Sequence, residues 1–255
     1  MTGVQTCALP IYDAELCEAR DIGGADMLRV LDAPAQIFLP GVGFEGGFED
    51  VERLAIGDRA NREILNIYEA AFKAAGKNGK DLRWRIEHAQ HLSAADIPRF
   101  GQLGVIAAMQ GIHCTSDAPY VLLRLGAQRA EEGAYVWQKL MKSGAIVGNG
   151  TDAPVEDVSP LASFYASVSR KLKDGTVFYP AQRMSRQEAL KSYTWNNAYA
   201  AFEEKLKGSL RAGKLADITV LSRDIMTIPE DEIPATDVVY TIVGGKMAYD
   251  RTAGR

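Results

Sequence analysis

Between residue 55 and about residue 203, short apolar runs alternate with amphipathic stretches along the sequence. Three apolar runs, LRWRIE, VIAAMQ and AIVGNG, have the length and composition of buried strands. The stretches between them place apolar side chains at helical spacing, for example Ile64, Leu65, Tyr68 and Phe72. Strands that alternate with helices at intervals of about 25–40 residues are typical of parallel βα units. The sequence therefore predicts an α/β fold built on a parallel sheet.

The two ends of the chain do not follow this alternation. Residues 1–11 resemble the translation of a sequencing-library adapter, so we expect them to be an artefact and leave them out of the fold prediction; the alternative is a genuine but unusual N-terminus. Residues 12–54 include the loop-like stretch PGVGFEGGFED and are expected to be poorly organised. Residues 55–207 hold the alternating part. Residues 208–255 contain short β-rich runs separated by Pro, Asp and Gly, which predict a small antiparallel appendage.

The composition excludes several classes of partner. The net charge is −4, and no cluster of lysine and arginine is long enough to indicate binding to nucleic acid or to a membrane surface. No apolar run approaches the roughly 18 residues of a membrane span. The three cysteines are widely spaced and odd in number, which favours free thiols in a reducing compartment over disulfides. We therefore expect a cytoplasmic protein that binds neither nucleic acid nor membranes.

Polar residues follow each of the three predicted strands. Glu87 and His88 end the first strand, residues 110–113 follow the second, and residues 149–152 follow the third. Because the carboxyl ends of parallel strands open onto one face, we expect these groups to converge in space. Imidazole is a good zinc ligand, and a nearby carboxylate can bind the ion or transfer a proton. His88 and Asp152 are therefore the candidates for a metal site, with Asp152 as the acid/base.

Each candidate also has a structural interpretation, which the residues alone leave open. His88 is then a hydrogen-bonded residue at a strand end, and His91 faces the βα loop or orients its neighbour. His113 is then a solvated loop residue, and Asp152 caps its own turn through backbone amides. A third function class, a binding site for an anionic ligand made of turn amides and His113, is also compatible with the pattern.

Five motifs in order resemble one known family. They are AIGDRANREIL, RIEHAQHL, MQGIHCTSDAPY, GNGTDAPVED and GSLRAGKLADITVL, and they resemble the third family of the amidohydrolase superfamily from about Ala55 to about Tyr249. The resemblance implies a (β/α)8 TIM-type barrel with a small β-sandwich beside it. This chain would hold the last three to four βα units of that barrel. The implied activity is metal-dependent hydrolysis of C–N bonds in small amide or formamide substrates, with zinc as the cofactor.

The resemblance also assigns roles to individual residues. It makes His88 a metal ligand after the sixth barrel strand. It makes Asp152, after the eighth strand, both a metal ligand and the acid/base. His113, after the seventh strand, is placed where it contacts the substrate.

This sequence departs from the family at other ligand positions. Leu54 stands where the family carries a histidine, and no His-x-His pair precedes His88. Since catalytic zinc normally has three protein ligands, we expect a truncated C-terminal part of a parent enzyme that binds zinc weakly and is inactive alone. The alternative is a non-catalytic remnant or interaction module that kept the scaffold without the metal. Open strand edges favour a homo-oligomer in either case.

Overall fold

The computed structural model describes residues 6–7 and 52–253 of the 255-residue chain. Within these ranges the strands form two four-stranded sheets, ordered β2-β3-β4-β5 and β1-β6-β7-β8. The strands are β1 Thr6–Cys7, β2 Glu52–Ala55, β3 Arg85–His88, β4 Ile106–Gln110, β5 Val147–Gly150, β6 Ile218–Leu221, β7 Val238–Val243 and β8 Lys246–Asp250. The helices are α1 Asp58–Ala75, α2 Gly79–Leu82, α3 Ile97–Leu103, α4 His113–Gly133, α5 Trp137–Lys142, α6 Pro160–Ser169, α7 Arg186–Tyr193 and α8 Trp195–Ala200. Two short 3-10 helices cover Pro180–Gln182 and Glu230–Ala235.

The first sheet is parallel throughout, and a helix follows each of its strands. This confirms the predicted α/β fold with a parallel sheet, and four successive βα units are consistent with a partial TIM-like barrel. β2 begins at Glu52, inside the segment 12–54 that we expected to be poorly organised. Pairing with β3 organises this short strand, and such a tertiary contact leaves no mark in the charged sequence before Ala55.

The two faces of the parallel sheet differ in exposure. Side chains alternate between faces along a strand, and residues paired in parallel register share a face. Ile86, Ala107 and Val147 are buried on one face. Leu54, which pairs with Glu87 on the other face, is 64% exposed. In a closed barrel this second face would line the interior.

Helix α1 shows how the predicted helices pack on the sheet. Leu65, Tyr68 and Phe72 are buried along it, and Gly76 ends it with a left-handed φ of 62°. The rings of Tyr68 and Phe72 each lie 4.9 Å from that of Trp84, the residue before β3. The helix predicted from apolar spacing is therefore confirmed, and its apolar stripe anchors the start of β3.

The second sheet is antiparallel and contains the three strands of the C-terminal segment. An antiparallel element at residues 208–255 is therefore confirmed, whereas the second layer of a β-sandwich stays a prediction. Thr6–Cys7 pairs with β6 in this sheet. These two residues lie in the segment 1–11, whose origin in an adapter also stays a prediction. Across residues 52–253, no helix has both the length and the apolar character that a membrane span needs.

Candidate metal centre

The structure brings together His88, His113 and Asp152, the three residues singled out by the sequence. One potential ligand atom of each lies within 4.8 Å of those of the other two. His88 ends β3, His113 begins α4 directly after β4, and Asp152 follows β5. The carboxyl ends of three neighbouring parallel strands therefore converge as expected. The roles of the three residues stay predictions.

The backbone adopts an unusual conformation at the end of β3 and just after β5. His88, the next residue Ala89, and Asp152 have φ values of 68°, 40° and 59°. L-residues rarely adopt this left-handed region, which costs of the order of 1–3 kcal/mol for each residue. Two of the three residues of the cluster are thus among the eight non-glycine residues with positive φ in the described part of the chain.

Gly111, the residue after β4, allows the chain to pass close to helix α6 and strand β5. A Cβ on Gly111 would lie 2.1 Å from the Ser167 hydroxyl oxygen and 2.6 Å from the backbone oxygen of Ser163. The Gly111 amide also donates to the side-chain oxygen of Asn149 at 2.9 Å. Only glycine permits this approach, and it sets where α4, and with it His113, begins.

His88 has the properties of an available nitrogen ligand. The residue is buried, and its Nδ1 atom has no hydrogen-bond partner. Burial lowers the pKa of the imidazole, and it outweighs the opposing effect of the Asp152 charge. The neutral form that burial favours is the one that binds a metal ion. An unpaired buried nitrogen is costly unless it gains a partner. His91 Nδ1 is unpaired as well, so the place of His88 in the cluster is what favours a ligand role for it.

His113 lies between two carboxylates. Its Nε2 atom is 3.2 Å from Asp152 Oδ2, and its Nδ1 atom is 3.0 Å from Glu156 Oε1. Its ring stacks on that of His88, with centroids 5.8 Å apart and an angle of 15° between the planes. The sequence predicts a loop position for His113, whereas the structure makes it the first residue of α4. The sequence did not identify Glu156, for which the only signal was the spacing of four residues from Asp152.

His91 does not join this cluster. Its ring packs against Tyr135 with centroids 5.3 Å apart, and its backbone oxygen accepts a hydrogen bond from Asn61. It lines a separate cavity of about 230 Å³ together with Asp58 and Arg129. These contacts support its structural interpretation as a residue of the βα loop.

A buried polar network holds the loop that links His88 to His91. The side-chain amide of Gln90 donates to Asp117 Oδ2 at 2.7 Å and to the hydroxyl of Tyr135. That hydroxyl in turn donates to Asp117. The Tyr135 amide donates to the backbone oxygen of Gln90 at 2.9 Å. The loop is therefore fixed by side-chain and backbone contacts to α4 and to the segment between α4 and α5.

The donor set of the cluster suits a metal ion. Two imidazoles and one carboxylate are ligands that zinc and related divalent ions accept in proteins. The unpaired Nδ1 of His88 points to the same conclusion. The cluster is thus a chemically suitable site for a divalent metal.

Comparisons with known proteins agree with this geometry. The sequence matches the amidohydrolase family over residues 50–249. It is 41% identical to the protein LONG AFTER FAR-RED 3 of Arabidopsis thaliana over 196 residues, which are 76% of this chain and 33% of that protein. It is 27% identical to the N-substituted formamide deformylase of Arthrobacter pascens over 198 residues, covering 77% of this chain and 36% of that enzyme.

A solved structure is also similar. The crystal structure of an uncharacterized metal-dependent hydrolase from Pyrococcus furiosus has a TM-score of 0.58 and 32% identity, over 70% of this chain and 34% of that one. This chain spans about a third of the length of the curated relatives that it matches.

Proposed function

Because this chain belongs to the third family of the amidohydrolase superfamily, we propose that it carries part of an active site that hydrolyses C–N bonds. Family membership supports metal-dependent hydrolase activity in general. The observation that carries the more specific proposal is the cluster of His88, His113 and Asp152 at the carboxyl edge of the parallel sheet.

We assign His88 and Asp152 as the residues that would hold the metal, and zinc as the ion. A divalent metal would supply Lewis-acid polarisation of a carbonyl and lower the pKa of water. The buried, neutral imidazole of His88 supports its assignment. The Asp152 side chain is 34% exposed, which leaves it accessible from solvent.

Asp152 is the proposed acid/base. When water attacks the amide carbon, a C–O bond forms and Asp152 accepts the proton that water loses. When the C–N bond breaks, Asp152 donates that proton to the departing nitrogen. One carboxylate serves both steps because it is regenerated in its ionised form.

The proposed substrates are small amides or formamides. The similarity to an N-substituted formamide deformylase supports this class. The resemblance gives His113 a contact with the substrate, and its position beside Asp152 supports this. The proposal involves neither nucleic acid nor a membrane.

We also propose that this chain is a truncated C-terminal part of a longer enzyme, is inactive alone and binds zinc weakly. Its span of about a third of its relatives supports this, as does the exposed Leu54 at a position where a histidine was expected. An exposed inner sheet face and the edge strands β2 and β5 support self-association. A cytoplasmic location remains our proposal from the cysteine pattern.

The test is zinc binding to the purified chain, measured by competition with a chromophoric chelator, together with formamide hydrolysis. We expect weak binding that His88→Ala and Asp152→Ala each reduce, whereas His91→Gln leaves it unchanged. Retention of near-stoichiometric zinc through desalting would refute weak binding, and turnover would refute inactivity. Equal zinc binding by His88→Ala and the unmodified chain would refute the site. Light scattering that shows a monomer would refute self-association.

The second candidate function is a non-catalytic remnant or interaction module that kept the scaffold. The presence of Leu54 favours this candidate, because an apolar side chain at the position expected to hold a histidine cannot bind a metal. If the chain shows no zinc binding at millimolar zinc, and Leu54→His does not create any, the remnant is the better description.

A further inference from the structure

The two carboxylates that flank His113 come from a single turn. The backbone amides of Val155 and Glu156 both point to the carbonyl oxygen of Asp152, at 2.8 Å and 3.3 Å. This turn places Asp152 and Glu156 four residues apart, on the same side of the segment that follows β5. The imidazole of His113 fits between them, with one ring nitrogen on each carboxylate.

From this arrangement we infer that Glu156 is a positioning residue: it accepts a hydrogen bond from His113 Nδ1 and thereby turns the Nε2 atom of His113 toward Asp152. His113 Nε2 is then left as an acceptor that faces the same space as the Asp152 carboxylate. The inference rests on the proposed function only in taking Asp152 as the reactive carboxylate.

Helix α4 holds Glu156 from a second side. Ser116, one turn after His113, donates its hydroxyl to Glu156 Oε1, the oxygen that also faces His113 Nδ1. Glu156 is therefore fixed by two donors of the same helix. Its side chain is 20% exposed, so these contacts are partly shielded from water.

The two stacked imidazoles differ in their hydrogen-bond partners. Both nitrogens of His113 face carboxylate oxygens, and its side chain is only 8% exposed. His113 Nε2 and Asp152 Oδ2 have a spacing that two ligands of one ion can have, whereas Nδ1 is taken up by Glu156. His88 has no such partner on its Nδ1 atom. The hydrogen bond to Glu156 therefore fixes both the tautomer and the orientation of the His113 ring.

The experiment uses the small number of histidines. The chain has three, so a nitrogen-15 histidine-labelled sample gives three imidazole spin systems, which single His→Gln variants assign. In the metal-free protein we expect His113 Nδ1 to carry a proton that exchanges slowly because it is bonded to Glu156. Glu156→Ala should speed its exchange or move the proton to Nε2. Glu156→Gln should keep it, since the amide oxygen still accepts.

Controls separate this effect from misfolding. Glu131→Gln, at an exposed position on α4, should leave all three spin systems unchanged. Unchanged His91 signals in Glu156→Ala show that the fold is retained. If the His91 signals also shift, Glu156→Ala is too perturbed to interpret. The Glu156→Gln variant and the unmodified chain then show whether His113 Nδ1 is bonded to residue 156. An unprotonated Nδ1 of His113 in the unmodified chain, or a Glu156→Ala spectrum identical to it, overturns the inference.

A zinc titration of the same samples tests how Glu156 affects metal binding. We expect zinc to shift the nitrogen signals of His88 and to leave the proton on His113 Nδ1 in place. Loss of a residue that orients a ligand typically weakens metal binding about 10–100-fold, so Glu156→Ala should raise the zinc Kd by about tenfold or more. Loss of the proton on His113 Nδ1 when zinc is added overturns the inference. If the unmodified chain binds no zinc, the proposed function fails, and the metal-free spectra still decide the role of Glu156.

Discussion

Asn61 joins the end of β2 to the loop that carries His91, and its replacement tests how this edge of the sheet is held together. Its side chain is fully buried, and its amide nitrogen donates to the backbone oxygens of Ala55, Gly57 and His91 at 3.0, 2.9 and 3.2 Å. Its Oδ1 atom has no partner. The residue therefore acts as a donor to three carbonyls from two segments.

The expected cost follows from these three hydrogen bonds. The amide carries only two protons, which the three carbonyls share, and each hydrogen bond contributes about 0.5–1.5 kcal/mol net, so Asn61→Ala should lower the free energy of unfolding by about 1–3 kcal/mol. Asn61→Asp has almost the same shape but removes the donor and turns a carboxylate toward three carbonyl oxygens. It should therefore destabilise the protein at least as much as Asn61→Ala at neutral pH.

Urea unfolding followed by tryptophan fluorescence measures the difference, with Asn66→Ala on the exposed side of α1 as the control. A loss of less than 1 kcal/mol in Asn61→Ala would show that water replaces these donors and that our account of the edge is wrong. So would an Asn61→Asp variant as stable as the unmodified chain.

Three further predictions use the same unfolding assay. Gly111→Ala should lower the free energy of unfolding by about 1–3 kcal/mol because its Cβ would overlap a serine hydroxyl and a backbone oxygen, whereas Gly150→Ala, with open space around it, should change it little. Arg83→Ala should cost about 2 kcal/mol because the guanidinium makes a two-pronged, mostly buried pair with Glu204, at 2.7 and 2.9 Å; equal stability of the variant would refute this. Burial lowers the pKa of His91, so the unfolded chain binds its proton more readily and stability should fall as the pH drops below about 6.5; His91→Gln should flatten that slope.

The sequence predicted the parallel sheet because the apolar runs of β3, β4 and β5 have a clear length and period. The capping box at the start of α7, where Ser185 and Glu188 bond each other's backbone amides, is a local pattern of the same kind. The sequence predicted β2 poorly, since that strand depends on pairing with β3 rather than on its own composition. Local patterns are visible in a sequence, whereas pairing between distant segments is not.

The candidate site, like the fold, was predicted only in part. Topology alone predicted that His88 and Asp152 converge, because parallel strands end on one face. It gave no indication of Glu156, whose role depends on how the turn after β5 meets α4. Sequence spacing also could not show that His91 turns away from His88 to pack on Tyr135, since both histidines follow the same strand.

The backbone at Asp152 offers a test of whether the site has been kept for function. Its φ of 59° is a conformation that costs an L-residue about 1–2 kcal/mol and costs glycine nothing. Comparing Asp152→Gly with Asp152→Ala removes the carboxylate in both variants and relieves the strain in only one. We expect the glycine variant to be more stable in urea by about 1 kcal/mol, and both variants to lose zinc binding. If the glycine variant is also more stable than the unmodified chain, the aspartate costs the fold stability that glycine would not, and this favours a retained hydrolase site over a remnant. An alanine variant as stable as the glycine variant would mean that the turn relaxes, and the strain at Asp152 would then give no support to a functional role.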